Sequence, residues 1–347
     1  MSLIKQLGQF PDNERKIFFE TLSNYKNGQF QNLHPTPNLT EGVSFFRAMK
    51  DFALEKNERT KPATSIPSQK TDLLNLAPDA NVLVWFGHSS YFIQLDGKKI
   101  LVDPVLSGHA SPVKFTTKSF PGSDVYTAGE IPVIDYLFIS HDHYDHLDYE
   151  TMVKLQPKIK KVVTGLGVGE HLERWGYHKN LIIEKDWNEH TILDDGFTVH
   201  TVPARHFSGR GFKRNISLWL SFVLQTPTMK LFIGGDSGYD THFAAIGKQF
   251  GPFDLAILEN GQYGKNWKYI HMTPEETVQA GEDLRAKKLL PVHWSKFKLS
   301  VHAWDEPAIR IVKEAHRKGM PILQPMIGEA VYLKDNASSN AWWESVK

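Results

Sequence analysis

The chain has no cysteine among its 347 residues. Disulfides, thiolate metal ligands and thiol nucleophiles are therefore excluded, and any metal or covalent chemistry must use other side chains. No apolar run reaches 18 residues, so the sequence offers no spanning helix. Charge of one sign is also lacking: 40 Lys and Arg face 39 Asp and Glu, a formal net charge of +1 at pH 7. No global field recruits nucleic acid or an anionic membrane, and no nucleic-acid partner is expected. Short-period repeats and low-complexity segments are absent. Residues 1–20 are mixed and charged, without the apolar core of a signal peptide. A cytoplasmic protein is expected, with a leader trimmed from before Met1 left open. Oligomeric state is not legible.

What is present is a globular composition, 41% hydrophobic and 23% charged, with 16 histidines. Residues 1–80 are polar and broken by prolines, with a short helix predicted over 42–55. They read as an arm wrapped on a core of residues 81–347, and no strong amphipathic face for a bilayer is expected in them. From Asn81 the texture changes to short apolar or alternating runs. Strands are predicted at 82–86, 91–95, 99–102, 134–139, 161–163, 181–184, 197–202, 217–224, 230–233, 255–258 and 289–292. Asp96-Gly97 makes a hairpin turn. Helices are predicted at 148–155, 169–175, 240–250 and 306–318, and another starts at the capping box Thr273-Pro274-Glu275-Glu276. Two β-rich halves, each with helices, imply an α/β protein of two packed sheets with helices outside. The stretch from Pro104 to Pro132 carries few regular signals and reads as a lid or binding loop.

The most informative run is His141-Asp142-His143-Tyr144-Asp145-His146, H-x-H-x-D-H at the exit of the apolar strand 134–139. Three imidazoles and Asp145 within six residues are too many borderline metal ligands for an ordinary turn. His141 and His143 point the same way by alternation, and Asp145 and His146 can face a second ion. His206, Asp236 and His293 each follow another strand, where one edge of a layered fold brings strand ends together.

These residues, in this order, resemble the metallo-β-lactamase superfamily. Further motifs narrow the resemblance: Trp85-Phe86-Gly87-His88-Ser89-Ser90, Val102-Asp103-Pro104-Val105, Ala110-Ser111-Pro112, Ile270-His271-Met272-Thr273-Pro274 and Val292-His293-Trp294-Ser295-Lys296-Phe297. Together with Gly28-Gln29-Phe30-Gln31-Asn32 they resemble N-acylphosphatidylethanolamine-hydrolysing phospholipase D and its bacterial relatives, over residues 28–335. The resemblance implies a four-layer αββα sandwich with two zinc ions at one edge. His141, His143 and His206 would hold the first, Asp145, His146 and His293 the second, and Asp236 would bridge both. His143, where a di-iron redox relative carries Glu, favours hydrolytic zinc, although manganese or iron fit the same ligands.

The expected activity is hydrolysis of a small-molecule or lipid phosphodiester by a hydroxide shared between the ions, a nucleophile that needs neither Ser nor Cys. Asp236 and Asp145 are the expected catalytic carboxylates. His271 is read either as a catalytic and substrate-binding donor or as a residue before a helix cap. Arg210 is assigned to substrate, with Lys213 and Arg214 beside it. His88 and Asp103 are expected to hydrogen-bond ligands. Phe115, Phe120, Tyr126 and Trp267 line a pocket or pack loops. The alternative activity is that of a lactonase or phosphosugar hydrolase. Two departures from the animal phospholipase, Glu259-Asn260-Gly261-Gln262-Tyr263-Gly264 in place of an aromatic, proline-rich stretch and Ile270 before His271, widen the expected substrates to smaller diesters.

Overall fold

Alternation along strands buried on both faces determines the layering. The computed structural model describes residues 3–54, 59–211, 213–334 and 340–346. In β3 (Val82–Trp85), Leu83 and Trp85 enter one core while Val82 and Val84 enter another. Such a strand must lie between two layers. It belongs to a seven-stranded sheet with β4 (Tyr91–Leu95), β5 (Lys98–Val102), β6 (Ile134–Ile139), β7 (Ile159–Gly165), β8 (Ile182–Lys185) and the short edge β15 (Ala330–Tyr332). The order is β15-β3-β4-β5-β6-β7-β8, and β5 through β8 run parallel. A second sheet of six strands holds β9 (His190–Asp194), β10 (Phe197–Val202), β11 (Ser221–Gln225), β12 (Lys230–Ile233), β13 (Leu255–Glu259) and β14 (Leu289–Val292), with β12, β13 and β14 parallel.

The sheets share one core. Phe138 of the first stacks on Phe222 of the second with ring centroids 5.0 Å apart. Truncating either to Ala would cost about 3–5 kcal/mol. On the outer face of the first sheet, α4 (Tyr149–Leu155) and α5 (Gly169–Arg174) contribute Met152, Leu155 and Leu172. Outside the second, α6 (His242–Phe250) and α7 (Pro274–Asp283) contribute Phe243, Ile246 and Ala280, joined by Leu284 at the C-cap of α7, and α8 (Glu306–Lys318) packs Ile311 and Ala315 on Val278 of α7. The result is the αββα sandwich. In α7, Thr273 Oγ1 accepts from Glu276 N while Glu276 Oε2 accepts from Thr273 N, the reciprocal cap its sequence predicts.

The described residues of 3–54 and 59–80 run over this core. The arm holds α1 (Leu3–Gln6), α2 (Asn13–Glu20), a hairpin of β1 (Tyr25–Lys26) and β2 (Gln29–Phe30), and α3 (Phe45–Leu54). Arg15 of α2 pairs with Glu170 at 2.7 Å and Glu173 at 2.5 Å. Phe30 N donates to Asn215 O, Ile66 N to Pro121 O and Gln69 N to Ile327 O.

Several sequence expectations need correction. The strand expected at 217–224 begins at Ser221, because Leu218 N and Leu220 N donate to the loop carbonyls of Leu166 and Ser140 instead of a neighbouring strand. β9, with its polar alternation, β15, of three residues, and α2, in a charged segment, were not anticipated. The arm does carry an apolar helical face: Phe46, Met49, Phe52 and Leu54 of α3 are all exposed. The segment 104–132 is irregular as expected, but Phe120 and Tyr126 are packed into the cores and none of it lines the cavity described below.

Candidate metal centre

β6 delivers its six-residue run into a loop held from below by Asp142, the residue between the first two histidines. Its carboxylate accepts from Gly209 N at 2.7 Å and Ser217 Oγ at 2.9 Å, and lies 3.4 Å from His171 Nε2. These bonds and the loop's compactness turn His141 and His143 the same way, with His141 Nε2 2.9 Å from His143 Nδ1. His206, beyond β10, brings its Nε2 to 3.3 Å from that same nitrogen and rests its Nδ1 on Ile270 O at 2.9 Å. Asp236 arrives from β12 through Gly235. A Cβ on Gly235 would stand 2.7 Å from Ser140 Cβ, and its φ is +60°, so only glycine lets the two strand exits approach this closely.

Asp236 lies between two groups of donors. One oxygen is 3.8 Å from His141 Nε2 and 3.7 Å from His206 Nε2; the other is 3.2 Å from His146 Nε2 and 3.1 Å from His293 Nδ1. His141, His143, His206 and Asp236 form one cluster of converging donor atoms, and His88, Asp145, His146 and His293 form a second, each within 4.8 Å. The seven residues singled out as ligands thus meet at one edge of the sandwich.

Within these clusters His143 Nε2, His146 Nε2, His293 Nε2 and Asp236 Oδ1 are buried with no hydrogen-bond partner. Unpaired buried polar atoms are costly, and nitrogen facing nitrogen at 2.9–3.3 Å satisfies neither unless one is protonated. Burial, then repulsion from His146, His143 and His206, holds His141 well below the usual imidazole range. Burial does the same to His206. Neutral His141 and His206 are in the protonation state a divalent cation requires, while Asp236, Asp145 and Asp103 raise His146 against its burial, a pull that a bound cation would replace; the donor sets fit divalent cations.

The supports differ between clusters. His88 Nε2 lies 2.8 Å from Asp145 Oδ2, Ser89 Oγ 2.9 Å from His293 Nδ1, and Asp103 Oδ2 2.8 Å from His146 Nδ1. Asp103 also accepts from Ser140 N and Ser140 Oγ. These are the placements expected of residues that fix ligand orientation. His88, Asp103 and His293 all take left-handed backbone conformations, with φ of 53°, 41° and 69°. Such strain concentrates at functional sites.

Above the clusters opens a cavity of about 480 Å³. His143, Asp145, His206, Asp236, His271 and His293 form its polar floor. Its walls are apolar, from Leu39, Met49 and Phe52 of the arm to Phe207, Ile270 and Leu299 of the core. Trp267 is the only one of the four aromatics considered from sequence that reaches it; Phe115 is exposed elsewhere. No Lys or Arg lines it among the described residues.

Arg210 does not reach the cavity, contrary to its assignment from sequence. It is buried at 4% exposure, and its guanidinium donates to Gln6 O, Asp142 O and Leu147 O. A basic residue in a glycine-containing loop suggests an anion site, but here backbone carbonyls of the arm and of the histidine loop are its partners. Lys213 and Arg214 lie over the rings of Phe10 and Phe207 and are not part of the lining.

His271 sits on the cavity floor with Nδ1 2.8 Å from Glu259 Oε2. Glu259 ends β13, is fully buried, and accepts from Met272 N at 2.6 Å. Its role was not anticipated. The available signal was a lone acid closing the apolar run Leu255-Ala256-Ile257-Leu258. Burial raises Glu259 to about 7 against the pull of His271, and Glu259 in turn raises His271 against its own burial.

Comparison with known proteins agrees with this geometry. A family model described as Beta-lactamase superfamily domain matches residues 98–294. An uncharacterized protein of Mycobacterium tuberculosis is 36% identical over 328 residues, covering 93% of this chain and 88% of its own. N-acyl-phosphatidylethanolamine-hydrolyzing phospholipase D 1 of Caenorhabditis elegans is 30% identical over 258 residues, 67% of this chain and 72% of its own. Among solved structures, Igni18, a metallo hydrolase of the archaeon Ignicoccus hospitalis, superposes with a TM-score of 0.55 at 20% identity, covering 73% of this chain and 97% of that one. The chain belongs to the metallo-β-lactamase superfamily and is a metal-dependent hydrolase.

Proposed function

We propose that the protein is a dinuclear zinc phosphodiesterase acting on a diester that carries an apolar group. The observation that carries this reading is the pairing of two donor clusters, shared through Asp236, with an apolar cavity directly above them. Ions bound there supply a water-derived nucleophile at neutral pH and offset charge on the phosphate oxygens. The chain's own residues do the rest. Asp236 and Asp145 place negative charge on the floor and hold the histidines in register. Leu39, Met49, Phe52 and Leu299 exclude water and seat the apolar group. His271 presents its ring to a phosphate oxygen or to the leaving group. The name of the nematode relative supports a lipid diester, and the exposed apolar face of α3 beside the cavity suits one. Manganese or iron in place of zinc leaves this assignment unchanged.

A lactonase is the second reading, favoured by the absence of Lys and Arg from the lining among the described residues, since a neutral ester needs no cation beyond the ions. Metal-replete hydrolysis of bis-p-nitrophenyl phosphate beside a lactone panel, with and without chelator, separates the two. Chelator-sensitive diester cleavage with inert lactones is expected. Lactone opening without diester cleavage would replace the phosphodiesterase reading.

A further inference from the structure

Glu259 belongs to neither of the two ligand clusters that share Asp236, yet it is an acid buried at 0% exposure. A lone buried carboxylate is costly unless its oxygens are engaged. Both are: Oε1 holds Met272 N at 2.6 Å, and Oε2 lies 2.8 Å from His271 Nδ1. The two bonds clamp the backbone and the ring of one short segment. His271 in turn stacks beside His293, with ring centroids 5.1 Å apart, and lies 5.2 Å from His206, so it stands over the junction of both clusters. With Nδ1 engaged, Nε2 is the nitrogen left to the cavity.

Resting on the phosphodiester reading, we propose that Glu259 is a positioning residue: by fixing Nδ1 it aims Nε2 of His271 at the oxygen that leaves phosphorus. In the step, a P–O bond forms to water-derived oxygen as the P–O bond to the leaving group breaks. His271 enters the step as the imidazolium, with its Nδ1–H held by Glu259; the departing oxygen takes the Nε2 proton, the neutral ring keeps its proton on Nδ1, and Nε2 regains a proton from solvent. The geometry parallels a carboxylate orienting an imidazole in other hydrolases, with the metal floor in place of a nucleophilic side chain. Asp236, Glu259, His271 and His293 also converge within 4.8 Å, the arrangement of a third cation site. The engagement of Oε1 by Met272 and of Asp236 and His293 by the paired clusters argues for positioning instead.

The test compares wild type, E259Q, H271Q and the double variant, each metal-loaded, on methyl p-nitrophenyl phosphate and methyl phenyl phosphate. Gln at 259 keeps the length and can still accept from Met272 N, so the fold is retained. E259Q is expected to lose about tenfold or more on the phenyl ester, whose leaving group needs a proton, and about threefold or less on the p-nitrophenyl ester. H271Q should show the same steepening, and the double variant should be no worse than H271Q. Equal losses on both esters, additive losses, or a lower metal content in E259Q would overturn the proposal, the last by making Glu259 a ligand. Imidazole 15N shifts of His271, followed to high pH where the ring is neutral, give a readout independent of substrate: the remaining proton is expected on Nδ1 in wild type and on Nε2 in E259Q, and an unprotonated Nδ1 in wild type overturns the pairing. Wild type inert to both esters would remove the phosphodiester reading, and the 15N shifts would still decide the pairing.

Discussion

The two donor clusters share Asp236 but stand on different foundations. The second is braced by residues at the ends of core strands: His88 after β3, Asp103 after β5 and Ser89 beside His293. The first rests on the core through Ser140 Oγ, 3.0 Å from His141 Nδ1, and through Ile270 O, and is braced in addition by the arm. Asn32 Oδ1 accepts from His206 N at 3.1 Å while Asn32 Nδ2 donates to His206 O at 2.7 Å. Gln6 O receives Arg210, which also holds Asp142 O, and Gln9 N donates to His171, the neighbour of the Asp142 carboxylate. A pair of sites that share one carboxylate can therefore differ in durability, because one rests on the core alone and the other also leans on a peripheral strap.

Breaking the shared element has the largest expected effect. D236N should lower diester hydrolysis at least about a thousandfold and reduce the content of both ions, measured by elemental analysis. Full activity in D236N would sink the shared-ligand arrangement. The next two variants separate the foundations. H88Q should weaken binding of one ion about 10–100-fold and leave the other unchanged in a competitive chelator titration. R210A, which leaves three backbone carbonyls without their donor, should cost about 2–3 kcal/mol in urea unfolding and release the other ion first. Release of the same ion in both variants would erase the distinction.

The smallest expected effect tests the strap by pH. Burial, reinforced by Glu184, raises Glu170 from 4.5 to about 7 despite its pairing with Arg15 of α2. Between those values the folded chain holds a proton that the unfolded chain has lost. The stability contributed by this group is present below about pH 4.5 and fades as pH rises through about 7. E170Q should therefore stabilise the protein by about 1–2 kcal/mol at pH 8 and by almost nothing at pH 4, read by thermal unfolding at the two pH values. A gain of equal size at both would show that Glu170 does not titrate in this window.

The parts legible in the sequence were those whose partners lie nearby along the chain. His141, His143, Asp145 and His146 are read within one turn, and β6 is read from a continuous apolar run. The capping box of α7 closes over four residues, and it forms as written. Glu259 was missed because its partner His271 is 12 residues away and neither residue signals the other locally. Arg210 was misassigned because its partner carbonyls at Gln6 and Leu147 carry no side-chain signature at all. The apolar face of α3 escaped notice since Arg47, Lys50 and Asp51 dilute the same ten residues. β9 lacked a run to recognise: three of its five residues are polar or charged, Ile192 and Leu193 being the exceptions, and its exposed face reads as loop.

The bond from Arg210 to Gln6 spans 204 residues of chain. In the chronology of synthesis, at about 5–20 residues per second, the carbonyl of Gln6 waits roughly 10–40 seconds for its guanidinium to be made. The histidine loop emerges about two thirds of the way through that interval, complete in sequence but without its clamp. A nascent chain thus carries its most conspicuous metal motif well before it can hold a metal in final geometry, and His293 completes the second cluster later still.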